Sequence, residues 1–250
     1  MRTDDLDFHL PPELIAQEPA ARRVDARLLC YDRLTQRIEH SYVRDMPELL
    51  RRGDLLVFNH TTVVPARFTV RKPSGGRLEG LWLSTESCAP FRRGRVLLKG
   101  LGRFEPGVQL SFEADPSATL TVLQKSDSDG YEVEASENLN DLVRRLGRMP
   151  LPPYIKRKKG QDERDADDRK RYQTVFHAAA AASVAAPTAG LHFDNALLEC
   201  LNAANIHRTS VELQVGLGTF KPVDVDDLDD HPMHRERWEI QASGGGAIND

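Results

Sequence analysis

Much that would assign the chain to a membrane or to the cell exterior is missing from its 250 residues. Three cysteines, Cys30, Cys88 and Cys200, lie far apart and are odd in number. They form neither a CxxC pair nor a zinc framework, so reduced thiols of a cytosolic protein are expected. The opening stretch MRTDDLDFHL has no apolar core of the kind a secretory signal carries. No apolar run approaches the length of a membrane span, and the alanines of Ala178–Ala182 are soon followed by Pro187. There is no excess of positive charge either. The net charge is −4, so any nucleic-acid binding must rest on local patches. The composition is that of an ordinary globular protein, 40% apolar and 29% charged.

What is present changes texture along the chain. From about Arg67 to Ala135, six short runs (RFTVRK, GRLEGLWLS, GRVLLKG, GVQLSFEA, ATLTVLQK and GYEVEAS) are separated by turn-forming segments such as PSGG, FEPG and DPS. Apolar and polar residues alternate within them, as at Val108, Leu110 and Phe112. This pattern predicts a compact antiparallel barrel. The flanks read differently. ARLLCYDR, GDLLVFNHTTVVPARF and HRTSVELQVG read as strands, MPELLRRGD and LPPELIAQEP as short helices, and DNALLECLNAAN as an amphipathic helix capped by Asp194. LNDLVRRLG carries a helical stripe ending at Gly147. The predicted fold is therefore a large α/β domain with an inserted small antiparallel β-barrel domain. Residues 1–66 and 137–250 form the discontinuous α/β domain and residues 67–136 the six-stranded barrel. The charged run Lys156–Arg171 reads as a solvated, mobile loop or, more sharply, as an arm that touches phosphates.

Two segments fit neither strand nor core helix: SVAAPTAGLHF (Ser183–Phe193) and QVGLGTFKP (Gln214–Pro222). Small residues before a helix N-terminus allow a ligand close to backbone N–H groups. Thr188, Gly190 and Phe193 in the first, and Gly216, Gly218, Thr219 and Phe220 in the second, are candidate substrate-binding residues. The plain alternative is two tight turns packed on each other. Neither segment has the spacing of a dinucleotide or nucleoside-triphosphate cradle.

His192, His231, His234 and Glu236 are candidates for proton transfer, because imidazole titrates near neutral pH. The three-residue spacing of His231 and His234, disturbed by Pro232, is not that of a helical zinc pair, so no metal is expected. Basic residues cluster at Arg92, Arg93 and Arg95, at Arg144, Arg145 and Arg148, and at Lys156, Arg157, Lys158 and Lys159. With Tyr172 they form candidate RNA contacts, since stacking joined to phosphate neutralisation is how single strands are held. A solvated face is the plain alternative for each cluster.

Seven stretches then stand in order: DFHLPPELIAQEPAARRVDARLL, GDLLVFNHTTVVPAR, MPLPPYIKR, RYQTVF, SVAAPTAGLHF, VGLGTFKPV and HPMHRE. Together the chain resembles the S-adenosylmethionine:tRNA ribosyltransferase-isomerase family of queuosine biosynthesis. The resemblance implies a large α/β domain with an inserted barrel. It implies S-adenosylmethionine as a consumed substrate rather than a cofactor, and a tRNA carrying a 7-aminomethyl-7-deazaguanine at the wobble position as partner. It implies transfer of the ribosyl group to that base, giving epoxyqueuosine, in a cytoplasmic and monomeric enzyme. The family pattern has Asp and Arg where His60 and Thr62 stand, His where Gln214 stands, and a charged residue with Pro-Gly in place of part of HAAAAASV. It also continues past GGGAIND, so the chain is expected to lack the family's C-terminal portion. Two other classes stay open: a relative that binds RNA without turnover, and an α/β enzyme acting on a different adenosyl compound.

Overall fold

The computed structural model describes the chain except residues 127–129, 158–163, 179–182, 217, 219–222, 234–235 and 250. Backbone contacts divide it into two compact units. One comprises Met1–Thr62, Pro152–Asp162 and Arg171–Asp250, the other Val63–Leu151 and Glu163–Lys170.

The second unit holds the barrel. Strands β4 (Arg67–Arg71), β5 (Arg77–Thr85), β6 (Arg93–Lys99), β7 (Val108–Phe112), β8 (Thr119–Lys125) and β9 (Tyr131–Ala135) close in the order β4-β5-β6-β9-β8-β7. All pairings are antiparallel, and β7 returns to β4 through Val70 opposite Phe112. Closure leaves no free sheet edge. The alternation read from the sequence sorts the side chains: Val70, Val96, Leu110, Leu120, Val122 and Val133 are fully buried, while their neighbours in sequence face outwards.

Helix α2 (Leu139–Leu146) packs on this core through Leu139, Leu142 and Val143, all fully buried. Asn138 caps it, its side chain accepting from Asn140 N at 3.0 Å. The helix stops at Gly147, whose N–H donates to Val143 O at 2.8 Å. A side chain cannot be accommodated there, because a Cβ would lie 1.8 Å from Pro65 O and 2.4 Å from Val143 O. The expected solvated loop Lys156–Arg171 is helical over α3 (Asp165–Arg171), braced by an Asp165–Arg169 ion pair at 2.8 Å across one turn.

In the first unit, β3 (Leu55–Asn59) pairs in parallel with β10 (His207–Gln214), and β10 pairs antiparallel with β11 (Arg237–Glu239). A hairpin of β1 (Arg27–Asp32) and β2 (Arg37–Tyr42) forms a separate ribbon. Helix α4 (Asn195–Ala203) buries Leu197, Leu198 and Leu201 in a core with Val24, Val43, Phe193 and Ile206. Asp194 caps it, accepting from Leu197 N at 2.9 Å. Two further elements are a single short turn α1 (Met46–Leu49) and the C-terminal α5 (Ala242–Asn249). The helix expected in Leu10–Pro19 is only a 3-10 turn, Pro12–Leu14.

The Gly147→Ala variant is expected to lose about 3 kcal/mol, because both clashes are with backbone oxygens that cannot rotate away. Urea unfolding of the chain measures this, and a loss under about 1 kcal/mol would show that the approach to Pro65 is not tight.

Candidate active site

Because β3 and β10 run in parallel, their C-terminal ends lie side by side. Ligands of α/β proteins collect at such ends. Here the ladder continues one step beyond backbone pairing. Asn59 donates from Nδ2 to Leu213 O (3.0 Å), and its Oδ1 accepts from Leu213 N (3.1 Å) and Thr61 N (3.0 Å). The side-chain amide thus copies a peptide group and turns the chain into His60–Thr62.

That turn anchors the segment leading to the first small-residue loop. Ala178 N donates to His60 O at 2.8 Å, Ser183 N donates to Thr62 O at 2.9 Å, and the Thr62 hydroxyl donates to Ala178 O. Ser183 in turn reaches the second loop. Its hydroxyl hydrogen is shared between Ala185 O (2.8 Å) and Val215 O (3.0 Å), and its oxygen accepts from Ala185 N (3.3 Å). Gly216 N then donates to a carboxylate oxygen of Glu236 at 3.0 Å. The segments carrying Gly190 and Gly216 are therefore joined through Ser183.

Thr188–His192 form a 3-10 turn, closed by Gly190 N donating to Pro187 O at 2.9 Å. Gly190 is buried, and a Cβ there would meet Phe176 Cζ at 2.9 Å and Thr174 Cγ2 at 3.0 Å. Thr188 and His192 are exposed. Phe193 is not a free stacking face: it is buried with its ring 5.1 Å from Phe58 and edge-on to it, beside Phe176. Gly216 and Gly218 are half-buried, with open space around the Cβ position of Gly216. Thr219, Phe220 and His234 lie outside the described residues.

Of the proton-transfer candidates, His192 has an imidazole held below its usual pKa, first by partial desolvation of the ring where it lies against the protein and then by the neighbouring Arg23 guanidinium. It is neutral at pH 7. Glu236 is exposed and holds the Gly216 bend, and among the described residues the buried Nδ1 of His231 finds no hydrogen-bond partner. The hydroxyls of Thr61 and Thr174, both buried, also find none among them. Among the described residues, no group of three His, Cys, Asp or Glu side chains is placed to hold a metal.

An arginine that the sequence did not single out, Arg23, borders His192, and a second, Arg171, lies near Arg23. Arg23 donates to Leu191 O at 2.7 Å, and Arg171 donates to Ala20 O at 3.0 Å and Ala21 O at 3.4 Å. Their signal was present in ARRVDARLL and RYQTVF, but composition cannot pair residues so far apart in sequence.

The expected RNA contacts divide between the units. In the barrel unit, Arg92 donates to the carbonyls of Ala135 (3.0 Å) and Ser136, Arg93 pairs with Glu134 at 3.2 Å, and Arg95 donates to Ser84 Oγ at 3.4 Å. Arg145 pairs with Glu137 and, at 2.7 Å, with Asp115. The Ser117 hydroxyl, with Arg145 next, holds Asp115 down to about 2, so that pair stays charged at neutral pH. Arg144 and Arg148 are exposed. In the other unit Lys156 is exposed and Arg157 donates to Gln17 O at 3.1 Å. Tyr172 is buried, its phenol pushed up by that burial while the Ala186 backbone bonds it, so its ring is not a surface platform. Lys158 and Lys159 lie outside the described residues.

The architecture is that of an α/β protein carrying a closed β-barrel, with small-residue loops gathered at the carboxyl ends of parallel strands. Residues 3–250 match the family described as queuosine biosynthesis protein, and the chain belongs to that family. It is 43% identical to the S-adenosylmethionine:tRNA ribosyltransferase-isomerase of Geotalea uraniireducens, over 100% of this chain and 71% of the relative. Against the protein of the same name from Geobacter metallireducens the identity is also 43%, with the same coverage. That from Acidithiobacillus ferrooxidans is 41% identical over 99% of this chain and 69% of its own. A solved structure, the S-adenosylmethionine tRNA ribosyltransferase of Thermotoga maritima, is 24% identical with a TM-score of 0.39. There 98% of this chain is covered and the match spans 64% of the other.

Two substitutions separate structural from unused hydroxyls. Ser183→Ala removes the link to Val215 and is expected to cost about 1–2 kcal/mol. Thr61→Val keeps the shape and removes a buried hydroxyl that has no partner among the described residues, so it is expected to raise stability by about 1 kcal/mol. Denaturant midpoints of both variants check this, and equal losses would mean Thr61 is bonded in solution.

Proposed function

We propose that the protein moves the ribosyl group of S-adenosylmethionine to the aminomethyl group of 7-aminomethyl-7-deazaguanine at the wobble position of tRNA, with rearrangement to epoxyqueuosine. Adenine and methionine leave. The observation that carries this reading is the family match over residues 3–250, together with 41–43% identity to curated relatives bearing that name.

The chemistry makes three demands on the site. A proton next to the sulfonium is acidified by the adjacent positive charge and needs a base. Departing adenine needs a proton or a stabilised charge. The reactive intermediates need protection from water. His192 suits the role of base, being exposed at the mouth of the Thr188–His192 turn and neutral at pH 7. Thr188 and the bends at Gly190, Gly216 and Gly218 supply backbone and hydroxyl groups for the nucleoside. Thr219 and Phe220 extend the same set, and His231, His234 and Glu236 are the remaining candidates for proton transfer. Glu236 fixes the Gly216 bend, which suits positioning better than proton abstraction.

Adenine release from S-adenosylmethionine is expected only when tRNA bearing the precursor base is present. No release with that tRNA, while tRNA still binds, would leave a protein that grips RNA without turnover. His192→Gln is expected to lower kcat by about 10²-fold or more, the range a positioned base supplies. A base with a depressed pKa works above that pKa and fails as pH falls through it. The acid limb of the wild-type rate profile is therefore expected below about pH 6.5 and should vanish in the variant. An unchanged profile would remove His192 from the chemistry.

A further inference from the structure

The register of the β1–β2 ribbon sorts its side chains onto two faces. Arg27 stands opposite Tyr42, Leu29 opposite His40 and Tyr31 opposite Ile38. Residues directly opposite in an antiparallel pair share a face, and every second residue returns to it. These six therefore form one face, and all six are exposed. On the other face Leu28, Cys30 and Ser41 are half-buried. A ribbon with one covered side ordinarily turns its large apolar residues inwards. Here Leu29, Tyr31, Ile38 and Tyr42 stand on the uncovered side, between 40% and 60% exposed. A row of this kind marks a surface that something covers.

The charges choose the occupant. The exposed face carries Arg27 and His40 and no carboxylate. Asp32 and Glu39 fall on the other face by alternation, and both are engaged. Asp32 accepts from Leu34 N at 2.8 Å and Thr35 N at 3.0 Å, and Glu39 pairs with Arg37 at 2.9 Å. At the root, Asp25 pairs with Arg44 at 2.8 Å, and Asp45 accepts from Ser41 Oγ at 2.7 Å and Tyr42 N at 2.9 Å. Arg27 makes no ion pair or side-chain hydrogen bond among the described residues. The Arg44 guanidinium lies 4.0 Å from the centroid of the Tyr42 ring and holds it. Exposed aromatics on a sheet, with cations beside them, take two or three unpaired bases of RNA. Tyr31 and Tyr42 stand about 14 Å apart along the ribbon, at roughly 3.4 Å per residue. A stable protein interface needs about 20–30 residues a side, and this face offers six. The ribbon is also rooted beside the candidate active site. Val43 N donates to Ala26 O at 3.0 Å at its base. Just before it, the 3-10 turn Arg23–Asp25 is tied to the Thr188–His192 turn by Arg23 donating to Leu191 O at 2.7 Å.

We propose that the exposed face of the β1–β2 ribbon is a stacking platform for unpaired nucleotides of the RNA substrate, with Tyr31 and Tyr42 beneath the bases and Arg27 on the phosphate backbone. This rests on the reading of the protein as a tRNA-modifying enzyme. The platform residues are positioning residues; they hold the strand and do not touch the reacting atoms.

The test is the affinity of the full chain for an anticodon stem-loop RNA over a range of potassium chloride concentrations, with sedimentation velocity and adenine release measured in parallel. Tyr31→Ala is expected to weaken binding roughly 5- to 100-fold, the range for one lost stacking contact, with the salt slope unchanged. Tyr31→Leu keeps an apolar side chain opposite Ile38 but no ring, and is expected to lose as much. Tyr31→Phe is expected to stay within about twofold of wild type, because the ring is retained. Arg27→Gln is expected to lower the slope of log affinity against log salt by about 0.7, the value for one phosphate contact on a single strand. Arg37→Gln, on the covered face, is expected to change neither. If the Tyr31 variants fail to fold, Arg27→Gln decides alone. Wild-type affinity in folded Tyr31→Ala and Arg27→Gln overturns the platform, whether or not adenine is released. Full retention in Tyr31→Leu overturns stacking. A wild-type dimer that Tyr31→Ala dissociates, at unchanged RNA affinity, gives the face to a second copy and overturns the platform too. Weakened binding in a protein that releases no adenine supports the platform and sinks the transferase reading.

Discussion

A parallel strand pair ends where its backbone groups run out of partners, and whatever satisfies the next N–H and C=O decides where the following loops go. In this protein that role belongs to Asn59. Its amide meets both backbone groups of Leu213 and the N–H of Thr61, extending the β3–β10 ladder by one rung and turning the chain at the same time. Removing the amide would leave those groups to find partners in a half-buried setting, a cost of about 1–3 kcal/mol for each that fails. The His60–Thr62 turn follows from it, and the turn anchors Ala178 and Ser183. Ser183 then holds Val215. The Ser183–Phe193 segment and the bend at Val215–Gly216 are tied together by this chain of hydrogen bonds.

The barrel solves its problem by other means. Its order comes from closure and from alternation, with buried apolar side chains on one face of the strands and mostly polar or charged ones on the other. Its outward arginines are largely discharged: Arg71 and Arg77 share Glu113 at 2.6 and 2.9 Å, Arg93 meets Glu134 and Arg145 meets Asp115. Exposed pairs of this sort contribute little to stability, typically under about 1 kcal/mol each. They do limit what those cations can offer a nucleic acid.

This contrast marks what the sequence could disclose. All six barrel strands were legible because alternation is a local property, and Leu142 and Val143 were legible as a helical stripe for the same reason. The expected helix at Leu10–Pro19 is only the 3-10 turn Pro12–Leu14, and Gln17 beyond it bonds Tyr154, Lys156 and Arg157 instead. The run before Tyr172 read as a loop because its charge hides the Asp165–Arg169 spacing that supports a helix. Phe193 read as a ligand face because nothing local shows that Phe58 and Phe176 occupy its ring. Small residues announced the two bends, but the hydroxyl that joins them lies seven residues ahead of Gly190. Arg23 and Arg171 were invisible as neighbours because only the fold brings them together.

Thr61 and Thr174 are almost wholly shielded from water, and among the described residues neither hydroxyl oxygen finds a hydrogen-bond partner. Valine has nearly the same shape and would avoid a desolvation cost of about 1–3 kcal/mol at each site. Packing therefore does not explain the choice of threonine. Their positions do not look incidental. Thr61 sits between Asn59, which ends the strand, and Thr62, whose hydroxyl holds Ala178. Thr174 places its methyl group against the Cβ position of Gly190, and its carbonyl meets His177 Nδ1 at 2.5 Å. Both hydroxyls thus belong to the strand end and the segment from which the small-residue loops depart.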